Sequence, residues 1–497
     1  MAGQGNKNLK RNLARNSEPA LLEKVNIISN VKKKTSVSVL QGTVRVLYWE
    51  SILGDTVKAS VIFTDAGNTM KSTKQSKRGT KPTKKKVSAV EGLPITGGEQ
   101  VDLKFTDNNG NTVNFGKGDN NLYINTITPI PTASETTSKS YEIILTSKEF
   151  IDNEKARVRH CLSGTIADEV KNILKDVLKS EKVEEANIEN TKDNLQYVGN
   201  NKKPFYVINN LSTKAVSAQD QELGVSAGYI FYETADGYHF KSIDALLSGE
   251  KKKSIIYNET PDSEKGIPKG YDIKALTLDT DNRVNVQQKL SMGAYSTRSI
   301  IIDPFTTEYS VKTINAFDDG WGEKLKLAGE QLPAPNDVFT KEGGDAEFSR
   351  TTWQLASTGQ LHMGKSEEQI EKSDKENLKK SEVVNQSIMR YNQLFASQIT
   401  ITIPGEFSLH AGETVYMDIP EISESENKSC GDDVNKVDGG LYTIADLCHY
   451  ITAKETYTKL NLIRDSFGRD GNPTKGKTFS NDQASKVMDA NFLPNIK

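Results

Sequence analysis

The stretch TSVSVLQGTVRVLYWESILGDTVKASVIF, residues 35–63, decides the fold class of this chain of 497 residues. Apolar and polar residues alternate along it, and Val, Ile and Thr are frequent, which is typical of half-buried β-strands. Gly54 and Asp55 interrupt the alternation and predict a turn between two strands. The stretch therefore predicts a β-sheet domain.

The same alternation continues downstream in VDLKFT, LYINTITPI and YEIILTSKEF, and the DNNG sequence at 107–110 predicts another turn. We therefore expect a first all-β domain over 35–155. Inside it, KSTKQSKRGTKPTKKK at 71–86 has eight basic and no acidic residues, which predicts a solvated loop. The loop could bind anions or serve assembly, or it could be a flexible insertion. The second interpretation is favoured because no aromatic residue is interleaved to stack on bases.

Beyond this domain the hydrophobic period changes from two residues to 3.6. TIADEVKNILKDVLKS places its apolar residues on one helical face, and Thr165 with Asp168 resembles a capping box. A second helix is expected to open at Pro204, and the DG pair in ETADGYHF predicts a hairpin. These patterns predict mixed α+β structure over 156–295.

Alternation returns in RSIIIDPFTTEYSVKTI at 298–314 and again in two long stretches after residue 398. Between them, the charged run KSEEQIEKSDKENLKK indicates a solvated segment, and a helix is predicted near 381–397. The last thirty residues are polar and weakly patterned.

Overall charge and cysteine content exclude several classes of protein. The chain has 64 basic and 66 acidic residues, a formal charge of -2, which argues against a general preference for nucleic acid or anionic membrane. Three scattered cysteines, Cys161, Cys430 and Cys448, do not make a disulfide framework and favour a reducing compartment. No apolar run is long enough to cross a bilayer.

The N-terminal residues 1–34 carry eight basic and two acidic side chains with little periodicity. They have no apolar core of the length found in secretory signals. We therefore expect a basic arm, with the folded structure beginning after it.

One motif matches a known nucleotide-binding pattern: GNPTKGKT at 471–478 fits the phosphate loop. Phosphate binding of this kind needs a buried parallel strand before the loop, a helix after it and an acidic strand further on. Only nineteen residues follow Thr478, and the preceding TKLNLIRDS alternates as a half-exposed antiparallel strand does. We therefore expect a loop or extended segment that holds no phosphate.

Histidine and cysteine occur side by side at 160–161 and at 448–449. Neighbouring residues on a strand point to opposite faces, so Cys448 and His449 are not expected to share a metal ion. We predict a small core thiol beside an outward-facing histidine. A triad of Ser466, His449 and Asp446 fails for a similar reason, and the other three histidines are isolated in sequence.

Carboxylates are numerous, but they lie in charged runs such as SESENKSCGDD that predict solvated loops. Paired carboxylates of a glycosidase or a nuclease remain an open alternative. DTDN at 279–282 matches part of a calcium loop but lacks the required Gly and terminal Glu. The sequence thus predicts no catalytic, cofactor-binding or metal-binding residues, and no enzyme activity.

The order of these segments resembles the central baseplate hub proteins of contractile-tailed bacteriophages. The matching segments are ILGDTVKASVIFTDAG, LPITGGEQVDLKFTD, SKEFIDNEKARV, GTIADEVKNILKDVL, NNKKPFYVINNLSTKA, GYIFYETADGYHFKSIDALL and GGLYTIADLCHYITAKETYTKLNLIRDS. They are collinear from about residue 50 to residue 466.

The resemblance implies an α+β, mostly β fold in which mixed α+β material joins two barrel-like tube domains. The implied division of the chain is an arm at 1–34, a first tube domain at 35–155, a middle region at 156–295 and 319–397, a second tube domain from 296–318 with 398–466, and an extension at 467–497. The lysine-rich loop, the arm and the charged run before residue 380 depart from the family pattern, which puts partner contacts there in doubt.

The resemblance also implies a function without chemistry. Three chains would form a ring whose six similar tube domains dock on a sixfold tail tube, while the other face holds the threefold tail spike. The expected partners are two further copies of the chain, the spike, the tail tube or tube-initiator proteins and the tape measure protein, with no membrane insertion and no specific nucleic acid. The expected location is the virion tail baseplate, after assembly in the host bacterial cytoplasm.

Three alternatives remain: a tail-associated cell-wall hydrolase, another tube or tip component, and, less favoured, a nucleotide-binding protein acting through Lys477. Nucleic-acid binding through the lysine-rich loop is a further possibility, for which steep salt dependence would be the sign.

Overall fold

The structure is a computed structural model of the full chain. It describes residues 19–31, 35–67, 70–73, 84–116, 120–131, 138–192, 197–218, 227–257, 271–281, 286–302, 309–315, 350–355, 380–395, 397–419 and 438–465.

Strands dominate these residues. In chain order they are β1 (Leu21–Ile28), β2 (Ser36–Ser38), β3 (Thr43–Ser51), β4 (Lys58–Ala66), β5 (Met70–Thr73), β6 (Lys84–Val87), β7 (Gln100–Thr106), β8 (Thr112–Phe115), β9 (Leu122–Ile130), β10 (Ser138–Ser147), β11 (Cys161–Leu162), β12 (Tyr197–Val198), β13 (Tyr229–Thr234), β14 (Gly237–Ser242), β15 (Lys251–Tyr257), β16 (Ile273–Ala275), β17 (Thr277–Asp281), β18 (Ser296–Ile302), β19 (Tyr309–Asn315), β20 (Arg350–Leu355), β21 (Ser397–Pro404), β22 (Thr414–Asp418), β23 (Gly440–Thr452) and β24 (Thr456–Arg464).

The described α-helices are mostly short. They are α1 (Ala89–Gly92), α2 (Lys148–Lys155), α3 (Ile166–Asn172), α4 (Pro204–Ser212), α5 (Ile243–Leu247), α6 (Val286–Met292) and α7 (Lys380–Leu394). The expected mostly β, α+β architecture is therefore confirmed.

One large sheet of fifteen described strands contains residues from both halves of the chain. Its first unit consists of β1 to β4 and β7 to β10, and its second unit consists of β15 to β17 and β21 to β24. The units meet at β23. Its first half pairs antiparallel with β22 of the second unit, and its second half pairs antiparallel with β3 of the first unit. A register shift between Ile444 and Asp446 lies where β23 changes partner.

Both units contribute to a single apolar core. Val46, Phe63 and Phe105 of the first unit and Ile401 and Leu460 of the second are fully buried members of one cluster. Alternation along each strand sends these side chains to the same face, as the sequence predicts. The two units are therefore packed together through their cores as well as by strand pairing.

The middle of the chain builds a second core. Thr165 caps α3 by accepting a hydrogen bond from the Asp168 N–H at 3.2 Å, and α4 opens at Pro204, as predicted. A π-helical turn over Ile173–Val177 continues α3. The predicted hairpin of β13 and β14 turns at residues 235–236, and its aromatic side chains pack with both helices.

Three boundaries differ from the expected division. The arm was expected to reach residue 34, but β1 pairs with β7 and buries Val25 and Ile27 completely, so that expectation is wrong. The prediction of an arm relied on the charge of the whole segment. It overlooked the alternation in LEKVNII, residues 22–28, which is typical of a strand. The lysine-rich loop, expected over 71–86, also begins and ends in paired strands, since β5 pairs antiparallel with β6. Residues 74–83 lie outside the described ranges.

The third difference concerns residues 296–318. Their strands β18 and β19 form a separate three-stranded sheet with β20 and do not join the large sheet. The second unit instead takes β15, β16 and β17, at residues 251–281, from the expected middle region. Alternation identifies a strand, but it does not say which sheet the strand joins.

Candidate functional site

Several sequence candidates lie outside the described residues. These are the phosphate-loop match at 471–478, Ser466, His362 and the acidic run at 423–433. The expectation for the phosphate loop therefore stays a prediction. The partial calcium loop is described up to Asp281, and there it is strand β17, paired with β21.

The Cys448–His449 pair has the opposite orientation from the one predicted. His449 is fully buried and Cys448 is half-buried, so the prediction of a core thiol and an outward histidine is wrong. Its register places Leu447, His449 and Ile451 on the core face of β23. The imidazole stacks on the Tyr48 ring, with ring centroids 5.9 Å apart. Histidine is polar, but its flat aromatic ring packs well in this core.

His449 lies on the opposite face of β23 from Cys448 and Asp446, as predicted. Cys448 and His449 point to opposite faces, and the Asp446 carboxylate accepts a hydrogen bond from Asn461 at 2.9 Å on the face of Cys448. Burial lowers the pKa of His449 to about 3, so the ring is neutral. Within the described ranges, no three His, Cys, Asp or Glu side chains are placed to hold one metal ion.

A buried charged cluster lies between the units, around Glu50 of β3. The Glu50 carboxylate accepts hydrogen bonds from the Tyr48 hydroxyl at 2.7 Å, the Ala235 N–H at 2.8 Å and the Ala411 N–H at 2.9 Å. The Nδ1 atom of His410 lies 3.0 Å from the same carboxylate. We call this cluster the Glu50 joint; it connects the first unit, the second unit and the β13–β14 hairpin.

The ionisation of this joint suits a structural role. Burial disfavours the charged imidazole, but the Glu50 carboxylate outweighs burial and raises the pKa of His410 to about 9. Burial likewise opposes ionisation of Glu50, yet His410 and the other donors lower its pKa to about 2. Both groups are therefore charged at neutral pH, and neither is poised to exchange a proton there.

A second buried joint fixes the middle region to the first unit. The Nζ atom of Lys182 lies 2.9 Å from Glu233 and 3.2 Å from Glu149, and all three side chains are at most 5% exposed. Glu233 also accepts the Val57 N–H at 3.0 Å, between β3 and β4. Burial opposes the charge on Lys182, but the two carboxylates prevail and raise its pKa. We call this cluster the Lys182 joint.

A third joint involves Arg390 of α7, which is completely buried. Its guanidinium pairs with Asp244 of α5 and lies 3.3 Å from Asp465, directly after β24. This Arg390 joint fixes α7 to the second unit. The predicted 107–110 turn also serves as a contact between units, because Asp107 accepts the Phe407 N–H at 2.9 Å.

Sequence reasoning missed these joints, although one signal was available. Val46, Tyr48 and Glu50 share the inward face of β3, so an acid stands where the alternation requires an apolar residue. A buried charge is retained only when it is paired. The inward position of Glu50 therefore indicated a partner, but the identity of His410, 360 residues away, could not be inferred.

The three joints hold parts of the described fold together, and other described side chains lie at the surface. The large apolar side chains exposed there are Leu21, Val31, Val44, Leu53, Val198, Tyr206, Leu276, Tyr309, Val311 and Trp353. None of the described helices has the length and apolar character needed to span a membrane.

Comparison with known proteins finds likeness in structure only. No family model matches the chain, and no curated protein matches it. It is similar to the 43 kDa tail protein of prophage MuSo2 from Shewanella oneidensis, with 10% identity over 89% of this chain and 98% of that one and a TM-score of 0.45. It is similar to a tail protein from Neisseria meningitidis MC58, with 9% identity over 89% and 96% of the two chains and a TM-score of 0.46. A third likeness is to the E. coli c3393 protein, a component of the type VI secretion system, with 9% identity over 90% and 79% and a TM-score of 0.38.

Proposed function

We propose that this chain is a structural protein of a phage virion, the homotrimeric hub of a tail baseplate that adapts a threefold spike to a sixfold tail tube. The observation that carries the proposal is the pairing of β3 with β23, which joins two β-rich units of one chain into a single sheet over a shared core. A chain with two such units gives six around a ring of three.

The buried joints support the same role. A hub transmits force between a tube and a spike, so its units must keep a fixed relation to one another. The Glu50 joint connects three parts of the chain through ionised, hydrogen-bonded groups, and the Lys182 and Arg390 joints fix the middle region to the two units. Such networks are costly to break because separation leaves a charge buried without its partner.

The remaining parts of the proposal follow from the role. The expected partners are two further copies, the spike, the tube or tube-initiator proteins and the tape measure protein. The hub works in the virion after assembly in the bacterial cytoplasm and performs no catalysis.

Native mass spectrometry of the purified full chain tests the proposal. Each chain has a mass of 54.9 kDa, so a trimer is expected at about 165 kDa. Lys477→Ala should leave that mass unchanged and should not alter ATP binding, which is expected to be absent in both proteins. A persistent monomer at micromolar concentration, or ATP binding abolished by this substitution, would contradict the proposal.

A further inference from the structure

The three-stranded sheet has its apolar side outward. β18 is the central strand, and its register aligns Val311, Ile300 and Trp353 in one row across the outer face. Trp353 is 68% exposed, Val311 41%, and Tyr309 on the same face 73%. Thr297 and Ser299, on the inner face, are completely buried. This arrangement reverses the usual one, in which the apolar face of a sheet is covered.

Hydrogen bonds hold the polar face inward. The hydroxyls of Ser299 and Thr352 lie 2.8 Å apart, and Thr297 donates to the Gly293 carbonyl at 3.0 Å. Helix α7 packs on this side, where Gln393 donates to the Ala294 carbonyl at 2.9 Å. These hydrogen bonds stabilise the orientation in which the inner face of the sheet packs on the rest of the chain. An exposed apolar face of this kind marks an interaction surface.

The chain exposes a second apolar surface at a different place. Leu53, in the turn between β3 and β4, is 64% exposed, and Tyr206 of α4 is 54% exposed. Asn209 lies one helical turn after Tyr206 on the same side of α4, and it donates a hydrogen bond to Asp55 at 3.0 Å. That bond places the exposed side of α4 beside the turn.

We propose that the outer face of the three-stranded sheet packs on the surface around Leu53 and Tyr206 of a second copy of this chain. The proposal rests on the proposed hub and names one of its contacts. A closed ring of more than two identical subunits joins two different surfaces at each contact, so each chain must carry both. Two separate apolar surfaces on one chain meet that requirement.

The size of the sheet also favours a ring. Three strands at about 4.8 Å spacing and seven residues at about 3.3 Å cover roughly 300 Å². A stable pairwise interface needs about 800 Å² on each partner. The sheet is therefore too small to hold an isolated dimer, and it fits one contact among several between neighbouring copies.

Sedimentation equilibrium of full-length variants tests the contact. One variant combines Tyr309→Ser with Trp353→Ser, and another combines Leu53→Ser with Tyr206→Ser. Each is expected to weaken association by about 30-fold or more, since buried aromatic residues are typical hot spots. Leu21→Ser, which alters a residue 63% exposed on β1, is the matched control and should associate as the unaltered chain does.

Mixing the two double variants provides a sharper readout. Each retains the surface that the other has lost, so a pair formed by one copy of each variant keeps one intact contact, and an equimolar mixture should associate more strongly than either variant alone. If both variants form the same trimer as the unaltered chain, the contact is wrong and the hub proposal stands. If the unaltered chain itself is monomeric, the hub proposal fails.

Hydrogen exchange keeps the test decisive if a variant does not fold. In the unaltered chain, β18 and β19 should become more protected as concentration rises through the association range. Equal protection in the dilute monomer would mean that the chain's own residues, such as 316–349, cover the sheet, and this would overturn the contact.

Discussion

The Glu50 joint gives the most quantitative prediction. Replacing Glu50 with Gln keeps the size of the side chain but removes the charge that holds His410 protonated. In the variant, the NH2 of the new amide would also face hydrogen-bond donors. The N–H groups of Ala235 and Ala411, which now donate to the carboxylate, are among them. Breaking a buried ion pair from one side costs about 3–5 kcal/mol of the free energy of unfolding.

The pH dependence follows from the direction of the shift. The pKa of His410 is about 9 in the fold, against its ordinary value of 6.5. Its stabilisation is therefore complete below pH 6.5 and is lost as the pH rises through 9. The difference in pKa corresponds to about 3 kcal/mol. Glu50 has a lowered pKa, so its contribution is present above pH 4.5 and is lost as the pH falls through 2. The joint is strongest between pH 4.5 and 6.5.

Two measurements test this reasoning. An NMR titration with labelled histidine, assigned with a His410→Gln variant, should find one ring titrating near pH 9 that moves to a lower pKa in Glu50→Gln. The urea midpoint of the unaltered chain should fall between pH 6.5 and 9.5, and this fall should largely disappear in Glu50→Gln. His239 is the control, because burial lowers its pKa to about 3, so His239→Gln should leave the fall unchanged. A fall of equal size with and without Glu50 would refute the account of the joint.

Three other substitutions test the packing. Arg390→Met leaves two buried aspartates without their cation, so it should lower the free energy of unfolding by about 3–5 kcal/mol, seen as a lower urea midpoint. Gly412→Ala should cost about 1–3 kcal/mol, because φ is +84° there and a Cβ would collide with the Tyr232 hydroxyl; a midpoint equal to that of the unaltered chain would contradict this. His449→Phe keeps an aromatic ring in an aromatic core but removes the buried 2.9 Å hydrogen bond between Nδ1 and the Thr458 hydroxyl, so it should cost about 1–3 kcal/mol; a urea midpoint equal to that of the unaltered chain would contradict this.

Local structure was largely predictable from the sequence. The strands around 35–63, the capping of α3 at Thr165, the opening of α4 at Pro204 and the β13–β14 hairpin all follow from short patterns whose causes are local. The mostly β, α+β class follows from the sum of these patterns.

Long-range pairing was not predictable. One edge of β3 pairs with the neighbouring strand β4, but the other pairs with β23, about 400 residues away, and alternation in a strand does not identify so distant a partner. The separate sheet of β18 and β19 was not predicted, for the same reason. The resemblance to the hub family assigned residues 296–318 to the second tube domain, whereas β18 and β19 pair with β20 and leave Tyr309 and Val311 exposed.

Predictions from side-chain polarity were also wrong or incomplete where polar side chains are buried with partners. His449 was assigned outward because histidine is polar, although its register with Leu447 places it in the core. The Glu50 joint was missed because its members come from three distant parts of the chain. A charged residue at an inward strand position is a usable signal that a partner exists, and only the structure identifies the partner.

Electron cryomicroscopy of the purified chain tests the central claim most directly. The account predicts a ring of three chains in which six β-rich units surround one channel, with β3 paired to β23 inside every chain. A particle with a different number of chains, or a ring in which the two units of a chain do not share one sheet, would contradict it.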